Sequence, residues 1–269
     1  MQLPPKSLLQ GLVKHYLVLH QQADQQQYYR MFSDGNPGMV FHLTAPLLQW
    51  NEGDLTPQLQ PRSFVYGQLS QFNTIASSGD LNMIVVVLQP HALHTHFHIP
   101  AYELKDQILP LPDLFGQEAR DLEAQVISAS SIDTAIAFIE KFLWKRLNGQ
   151  SALNREMALA MHNIYHHQGM LTVEALLQVI PVTERQLERK FREYIGSSPK
   201  RFIDTIKFQY LLKLLQKQSE EEPIAALIYS SGYYDQAHLN SVFKRMTGLT
   251  PNRYKDTSQL LAINLMPVG

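Results

Sequence analysis

Residues 226–254, ALIYSSGYYDQAHLNSVFKRMTGLTPNRY, restate what residues 175–202, ALLQVIPVTERQLERKFREYIGSSPKRF, set out first. Leu176 falls opposite Leu227 at an offset of 51 residues. Leu187, Phe191, Gly196, Pro199 and Phe202 fall opposite Leu239, Phe243, Gly248, Pro251 and Tyr254 at an offset of 52, so the second copy carries one extra residue in its central turn. Each copy holds a helix start at the same place. Thr183 precedes Glu184 and Asp235 precedes Gln236, and such side-chain oxygens accept orphan N–H groups at a helix N-terminus. Gly196 and Gly248 end the same helices, where a left-handed residue is wanted. The pattern is that of two helix-turn-helix units.

The exposed faces of these two helices carry the chemistry. In the first, Leu187, Phe191, Tyr194 and Ile195 form the apolar stripe, and Arg185, Gln186, Glu188, Arg189 and Arg192 the polar face. In the second, Leu239, Val242, Phe243 and Met246 turn inward, and Gln236, His238, Asn240, Ser241, Lys244 and Arg245 outward. A helix entering the DNA major groove needs Arg for guanine and Asn or Gln for adenine, near its N-terminal half. Both helices supply them. Two matched copies point to a protein that touches two neighbouring segments of one groove face.

Composition sets the limits around this reading. A chain of 269 residues has room for two domains with their own cores. There is no cysteine, which removes disulfides, thiolate zinc sites and cysteine nucleophiles together. The N-terminus lacks a basic segment followed by a long apolar core, and no window reaches the ~18 apolar residues of a membrane helix. A cytoplasmic protein with no membrane partner is the expectation. Residues 1–154 carry 9 Lys and Arg against 13 Asp and Glu, and residues 155–269 carry 14 against 11. The C-terminal half is therefore mildly basic, as a nucleic-acid binder requires but too weakly to argue from charge alone.

Upstream of the duplication the reading changes from helix to strand. Val40–Leu43, Phe64–Gly67 and Met83–Leu88 are β-branched and aromatic runs bounded by turn residues, and Ser33–Gly38 is a turn cluster. The continuous apolar run Met83–Leu88 predicts a strand buried on both faces. From Ile132 to Leu147 the period becomes helical, with Ile136, Ile139 and Leu143 on a stripe open to packing on its own sheet or on a second copy. Asn148–Ser151 reads as a linker. Beyond it, Asn154 and Thr172 are expected caps, Gly169 a helix end, and residues 199–218 a long joining helix with Phe202, Ile206, Tyr210, Leu214 and neighbouring leucines inward. Ser219–Pro223 breaks that helix, with Pro223 opening the next. The predicted fold is a β-rich α+β domain over 1–150, an all-α double helix-turn-helix domain over 151–258, and a tail over 259–269.

The stretches Phe191–Phe202, which fits F-x-x-x-x-G-x-S/T-P-x-x-Y/F, and Gly232–Tyr254 resemble the DNA-binding domain of AraC/XylS-type transcription regulators. The resemblance implies base contacts from Arg185, Glu188, Arg189, Gln236, Ala237, Asn240 and Ser241, with phosphate contacts from Arg192, Lys207 and Lys244. Its departures are Leu177 and Ile228, where the family has a small residue at each helix crossing, and Pro181 in place of a turn glycine. Asp34–Phe41 and Tyr66-Gly-Gln resemble, more weakly, the β-rich sensor domain attached to such regulators. That implies a small-molecule effector or dimerisation role; Phe64, Tyr66 and Trp50 are candidates to rim an apolar pocket, which the sequence does not define. Double-stranded DNA is the implied partner, and a homodimer and RNA polymerase are further candidates.

The rival signal is PHALHTHFHIP, residues 90–100. As a strand it would align His94, His96 and His98; as a helix, His91, His94 and His98. Pro90 ends the preceding strand, so a helix is expected, and with no carboxylate nearby to orient the rings it is read without a metal. His162, His166 and His167 lack the glutamate of a zinc-protease helix. There is no phosphate-binding loop, dinucleotide fingerprint or nucleophile elbow, and Glu220–Glu222 reads as solvated. The sequence therefore predicts a DNA-binding transcription regulator with no cofactor and no catalysis. The alternative is a metal- or small-molecule-binding protein whose helical domain serves protein contacts.

Overall fold

A computed structural model describes residues 1–50, 55–147, 153–217, 227–255 and 261–268. The expected linker at 148–151, the helix break at 219–223 and Glu220–Glu222 lie outside them. The chain opens with β1 (Gln2–Leu3), β2 (Val13–Gln21), β3 (Gln27–Met31), β4 (Gly38–His42), β5 (Leu48–Trp50), β6 (Gln58–Leu59), β7 (Ser63–Tyr66), β8 (Asn73–Ser77), β9 (Leu81–Leu88) and β10 (Ile108–Pro110). One antiparallel sheet has the order β1-β2-β9-β4-β7-β10. The second joins β3, β8, β5 and β6 to β11 (Leu265–Pro267), the last strand of the chain.

Strand β9 explains the architecture. It pairs with β2 on one side and β4 on the other, and strand alternation sends its residues to two different cores. Met83, Val85 and Val87 face the space between the sheets with Leu19, Tyr29, Val40, Phe64 and Ile75. Ile84, Val86 and Leu88 face the helices α2 (Leu111–Ile127) and α3 (Ile132–Trp144) on the outer side of the first sheet, after the short α1 (Ala92–Phe97). An uninterrupted apolar run was needed because both faces are covered. Ile136, Ile139 and Leu143 of α3 are spent on this second core, so the stripe packs on the chain's own sheet. The same alternation corrects one expectation: Gln49 faces the interior, so its neighbour Trp50 lies on the outer face against Tyr28, with ring centroids 6.0 Å apart.

The helical half comprises α4 (Arg155–His166), α5 (Val173–Val179), α6 (Glu184–Ile195), α7 (Pro199–Lys217), α8 (Leu227–Ser230), α9 (Gln236–Thr247) and α10 (Pro251–Lys255). Among the described residues no helix is long and apolar enough to cross a membrane. Helix α7 belongs to both units. Phe202, Ile203 and Ile206 enter the core of the first, with Leu176, Leu187 and Phe191. Phe208, Leu211, Leu212 and Leu215 enter the core of the second, with Leu239, Phe243 and Tyr254. The inward stripe expected from sequence is thus too narrow. Tyr210 and Leu214 are only half-buried, the neighbouring Leu211, Leu212 and Leu215 are buried as expected, and Ile203 and Phe208 are covered as well.

A third flank of α7 rests on the N-terminal domain. The turn Ser33–Gly38 meets it at Gly35, whose φ is 82° and where a Cβ would come within 3.3 Å of Ile206 and Phe202. Gln209 Nε2 donates to Ser33 O at 2.9 Å. From below, Gln68 clasps the turn, donating to Gly35 O at 2.8 Å and accepting from Ser33 Oγ at 3.3 Å. These contacts give the Asp-Gly turn and the later Gly-Gln pair a common purpose. Of the residues expected as a tail, those at 261–268 do not hang free: β11 pairs with β3, and Asn264 and Phe32 exchange hydrogen bonds. Phe32, a residue of the N-terminal domain, is buried in the second unit's core, edge-on to Phe208 and Tyr254.

Phe32→Ala should therefore destabilise the second unit from outside it, by about 3–5 kcal/mol. An unchanged urea midpoint would show that the shared core is not formed. His42 provides a second test. It is buried between the sheets, its Nε2 3.1 Å from Gln60 Oε1, and Gln60 Nε2 donates to Gln49 at 2.7 Å. Burial pushes its pKa down to about 4, against the opposing hydrogen bond. The fold therefore prefers the neutral ring. Stability is complete above the ordinary value of about 6.5 and falls between there and about 4, by about 3 kcal/mol in all. His42→Gln should flatten that part of the profile, leaving the similar loss from His91, whose pKa is also pushed down to about 4.

Candidate nucleic-acid interface and cavity

The first reading helix is set by local chemistry at both ends. The Thr183 side chain accepts from Gln186 N at 3.3 Å while Gln186 Oε1 accepts from Thr183 N at 2.9 Å, a reciprocal capping box. At the other end Gly196, at φ 85°, returns its N–H to Phe191 and Arg192 carbonyls. The preceding turn takes the proline without a left-handed residue: Ile180 is extended at φ −112°, and Val182 N–H reaches back to Ile180 O. Leu177, the bulky residue expected at the helix crossing, is half-buried against the first unit's core. With Leu187, Phe191 and Ile195 buried, Arg185, Gln186, Glu188, Arg189 and Arg192 are all exposed.

The second unit repeats the arrangement with a different turn. Gly232 supplies φ 72° there, and Asp235 caps α9 by accepting from His238 N at 2.7 Å. Gly248 closes the helix at φ 73°. Ile228 is buried in this unit's core. Gln236, Ala237, Asn240, Ser241 and Lys244 stand exposed along one side of α9. Lys207 is placed differently from the other expected phosphate contacts. Its ammonium donates to Gly232 O and lies 4.6 Å above the Tyr233 ring, and burial lowers its pKa. It braces α7 against the second turn.

Sequence reasoning missed how closely the N-terminal domain approaches both reading helices. A Cβ on Gly196 would come 2.7 Å from Ala101 O, and one on Gly248 would strike Arg30 and Phe72. Arg30 Nη1 donates to Thr247 O at 3.1 Å, at the C-terminus of α9. His94 lies against Tyr194 of α6 with centroids 3.9 Å apart. The histidine segment forms helix α1, as expected, with His98 left-handed at its end. His94 packs on α6 and His91 Nδ1 lies 3.1 Å from Thr95 Oγ1. Among the described residues no three His, Cys, Asp or Glu are grouped to hold a metal ion.

Between the sheets lies a cavity of about 590 Å³ that opens toward α7. Its walls are mostly apolar, with Leu17, Val40, Phe64, Ile75 and Val85 among them, while Tyr165, Ile206 and Tyr210 reach it from the helical domain. Phe64 and Tyr66 line it as expected, and Trp50 does not. Tyr66 crosses Gly38 so closely that a Cβ there would sit 2.5 Å from the phenol oxygen. Polar groups gather where the domains meet: Lys14, His15 and Asp34 from one, Lys213 from the other. Desolvation lowers the Lys14 pKa, Asp34 opposes the shift and Lys213 adds to it. Strand periodicity could have found the apolar lining. Nothing in the sequence places Lys213 beside Lys14.

Residues 176–257 match the family model of a helix-turn-helix domain, and residues 1–110 match a domain of unknown function (DUF6597). An uncharacterized HTH-type transcriptional regulator of Haemophilus influenzae is 29% identical over 161 residues, covering 57% of this chain and 53% of that protein. A putative AraC-like transcription regulator of Streptomyces antibioticus is 27% identical over 84 residues, 31% of this chain and 27% of that one. The chain spans about half the length of the first curated relatives it matches. Unsaturated fatty acid-bound wild-type ToxT from Vibrio cholerae shares the fold at a TM-score of 0.50 and 13% identity, over 89% of this chain and 94% of that one. With two capped helices joined through α7, the C-terminal part of this chain is a helix-turn-helix domain similar to that of AraC-like transcription regulators.

Proposed function

We propose that this chain is a sequence-specific DNA-binding transcription regulator of the cytoplasm, reading two adjacent major-groove segments with α6 and α9. The observation that carries the reading is the pair of exposed polar faces on matched, capped helices fixed to one shared helix. Arg185, Glu188 and Arg189 would contact bases from the first unit, and Gln236, Ala237, Asn240 and Ser241 from the second. Arg192 and Lys244 would contact phosphate. Lys207, engaged with Gly232, would act by holding the second unit in place. The proposal gives the chain no catalytic step.

The N-terminal domain is the regulatory half in this proposal. Its cavity is apolar within and, where the domains meet, sets Lys14 and Lys213 beside Asp34, which suits a small amphiphile whose anionic head pairs with the two lysines. The fatty acid held by ToxT, a protein of the same fold, supports that class of effector. A ligand touching both domains can favour one arrangement of the reading helices only by the difference in its affinity for the two.

Selection from a random DNA pool should enrich a two-part site with halves about one helical turn, ~34 Å, apart. Failure to enrich any sequence would sink the proposal. Arg189→Ala should relax preference at one position at a cost of about 1–3 kcal/mol, and unaltered preference would remove α6 as a reader. A long-chain unsaturated fatty acid should raise the melting temperature of the full chain, and Lys14→Ala with Lys213→Ala should abolish that shift. A shift retained in the double variant would place the head group elsewhere.

A further inference from the structure

Beside the first reading helix runs a groove of about 870 Å³ with walls from both domains. One wall is the exposed face of α6 with the Gly196–Ser198 turn; the other is Tyr102 and Lys105, from the short 3-10 turn Ala101–Leu104 and the residue that follows it. Four cations line it, Lys105, Arg185, Arg189 and Arg192, against one carboxylate, Glu188. Among the described residues none of the four is in an ion pair. Exposed acids do lie nearby, Glu103 and Asp106, but Asp106 accepts from the Ser70 N–H and neither lines the groove.

The position of this wall is fixed by backbone contact. Ala101 O meets the C-terminal glycine of α6, an approach that a side chain at Gly196 would block. Arg192 places its guanidinium 4.6 Å over the Tyr102 ring. Stacking of this kind occupies the flat face of the guanidinium and leaves its in-plane N–H edge available to a phosphate. Cations on both sides and an aromatic ring that aligns one of them together suit a sugar-phosphate strand.

We propose that the segment Ala101–Lys105 of the N-terminal domain is a third DNA-contacting element. It holds the backbone strand that flanks α6 in the major groove. Lys105 contacts phosphate directly, and Tyr102 is a positioning residue that aims Arg192. The inference rests on the DNA-reading proposal above and extends it, because the regulatory domain then touches DNA itself. An effector that shifts this domain against α6 would change phosphate contacts without touching a base-reading residue.

The test uses the full chain and the DNA enriched by selection, with binding measured between 50 and 200 mM salt. Each phosphate contact contributes about 0.9 to the slope of log K against log salt, which at 0.15 M is about fivefold in affinity. Lys105→Ala should weaken binding by about that factor on every sequence and make the slope shallower by about 0.9, and Lys105→Arg should restore both. Tyr102→Phe should bind as the parent does. Tyr102→Ala should lose about two- to fivefold, with no further loss when combined with Arg192→Ala. A wild-type slope in Lys105→Ala overturns the phosphate contact. Tighter binding by Tyr102→Ala overturns the positioning role, since the ring would then be withholding Arg192. If Arg189→Ala alters base preference while Lys105→Ala changes nothing, this inference fails alone; if the parent enriches no DNA, both readings fail.

Discussion

Helix α7 is covered on three sides, and the rest of the molecule is arranged around that fact. Seven of its apolar side chains are buried, three in the first unit's core and four in the second's. At about 1.5–3 kcal/mol for each such side chain, the gross gain is on the order of 10–20 kcal/mol. That matches or exceeds the ~5–15 kcal/mol net stability of a whole domain. Releasing α7 from both units would therefore amount to unfolding. Rearrangement short of that is confined to small displacements of α7 and to the weaker contacts at its flanks.

Those weaker contacts are unequal. The second unit shares a core with the N-terminal domain through Phe32 and Met266, and β11 returns from it to pair with β3. The first unit meets the same domain where Gly35 packs on Ile206 and Phe202, through a hydrogen bond from Arg201 to Ser70 O, a backbone approach at Gly196, a ring contact between His94 and Tyr194, and the half-open stack of Arg192 on Tyr102. The first unit is therefore held by separate side-chain and backbone contacts, and the second by a core it has in common with the N-terminal domain.

Much of the helical domain was legible because its signals are local. A threonine or an aspartate at a helix start and a glycine at its end act on neighbouring backbone groups, and all formed as read. The proline of the first turn was also handled locally, by an extended Ile180. The N-terminal domain was legible where one strand decides its own environment, as Met83–Leu88 did, and less so where a side chain's face depends on pairing. Trp50 was placed at the pocket, but the register of β5 against β8 turns Gln49 inward and Trp50 out. The last residues gave no strand signal because three residues ending in proline carry almost none; β3 supplies the template.

The sequence by itself determined two helix-turn-helix units, their caps and turns, which residues face outward on each reading helix, and a β-rich domain before them. Those features follow from contacts within about four residues, or from the periodicity of a single element. The tertiary structure alone decided that Lys14 and Lys213 share a cavity mouth, that Lys207 braces a turn, that Phe32 belongs to another domain's core, and that Tyr102 and Lys105 stand beside Arg192. Each of these joins residues far apart in the chain. Their proximity is set by how whole elements pack, and no local pattern records it.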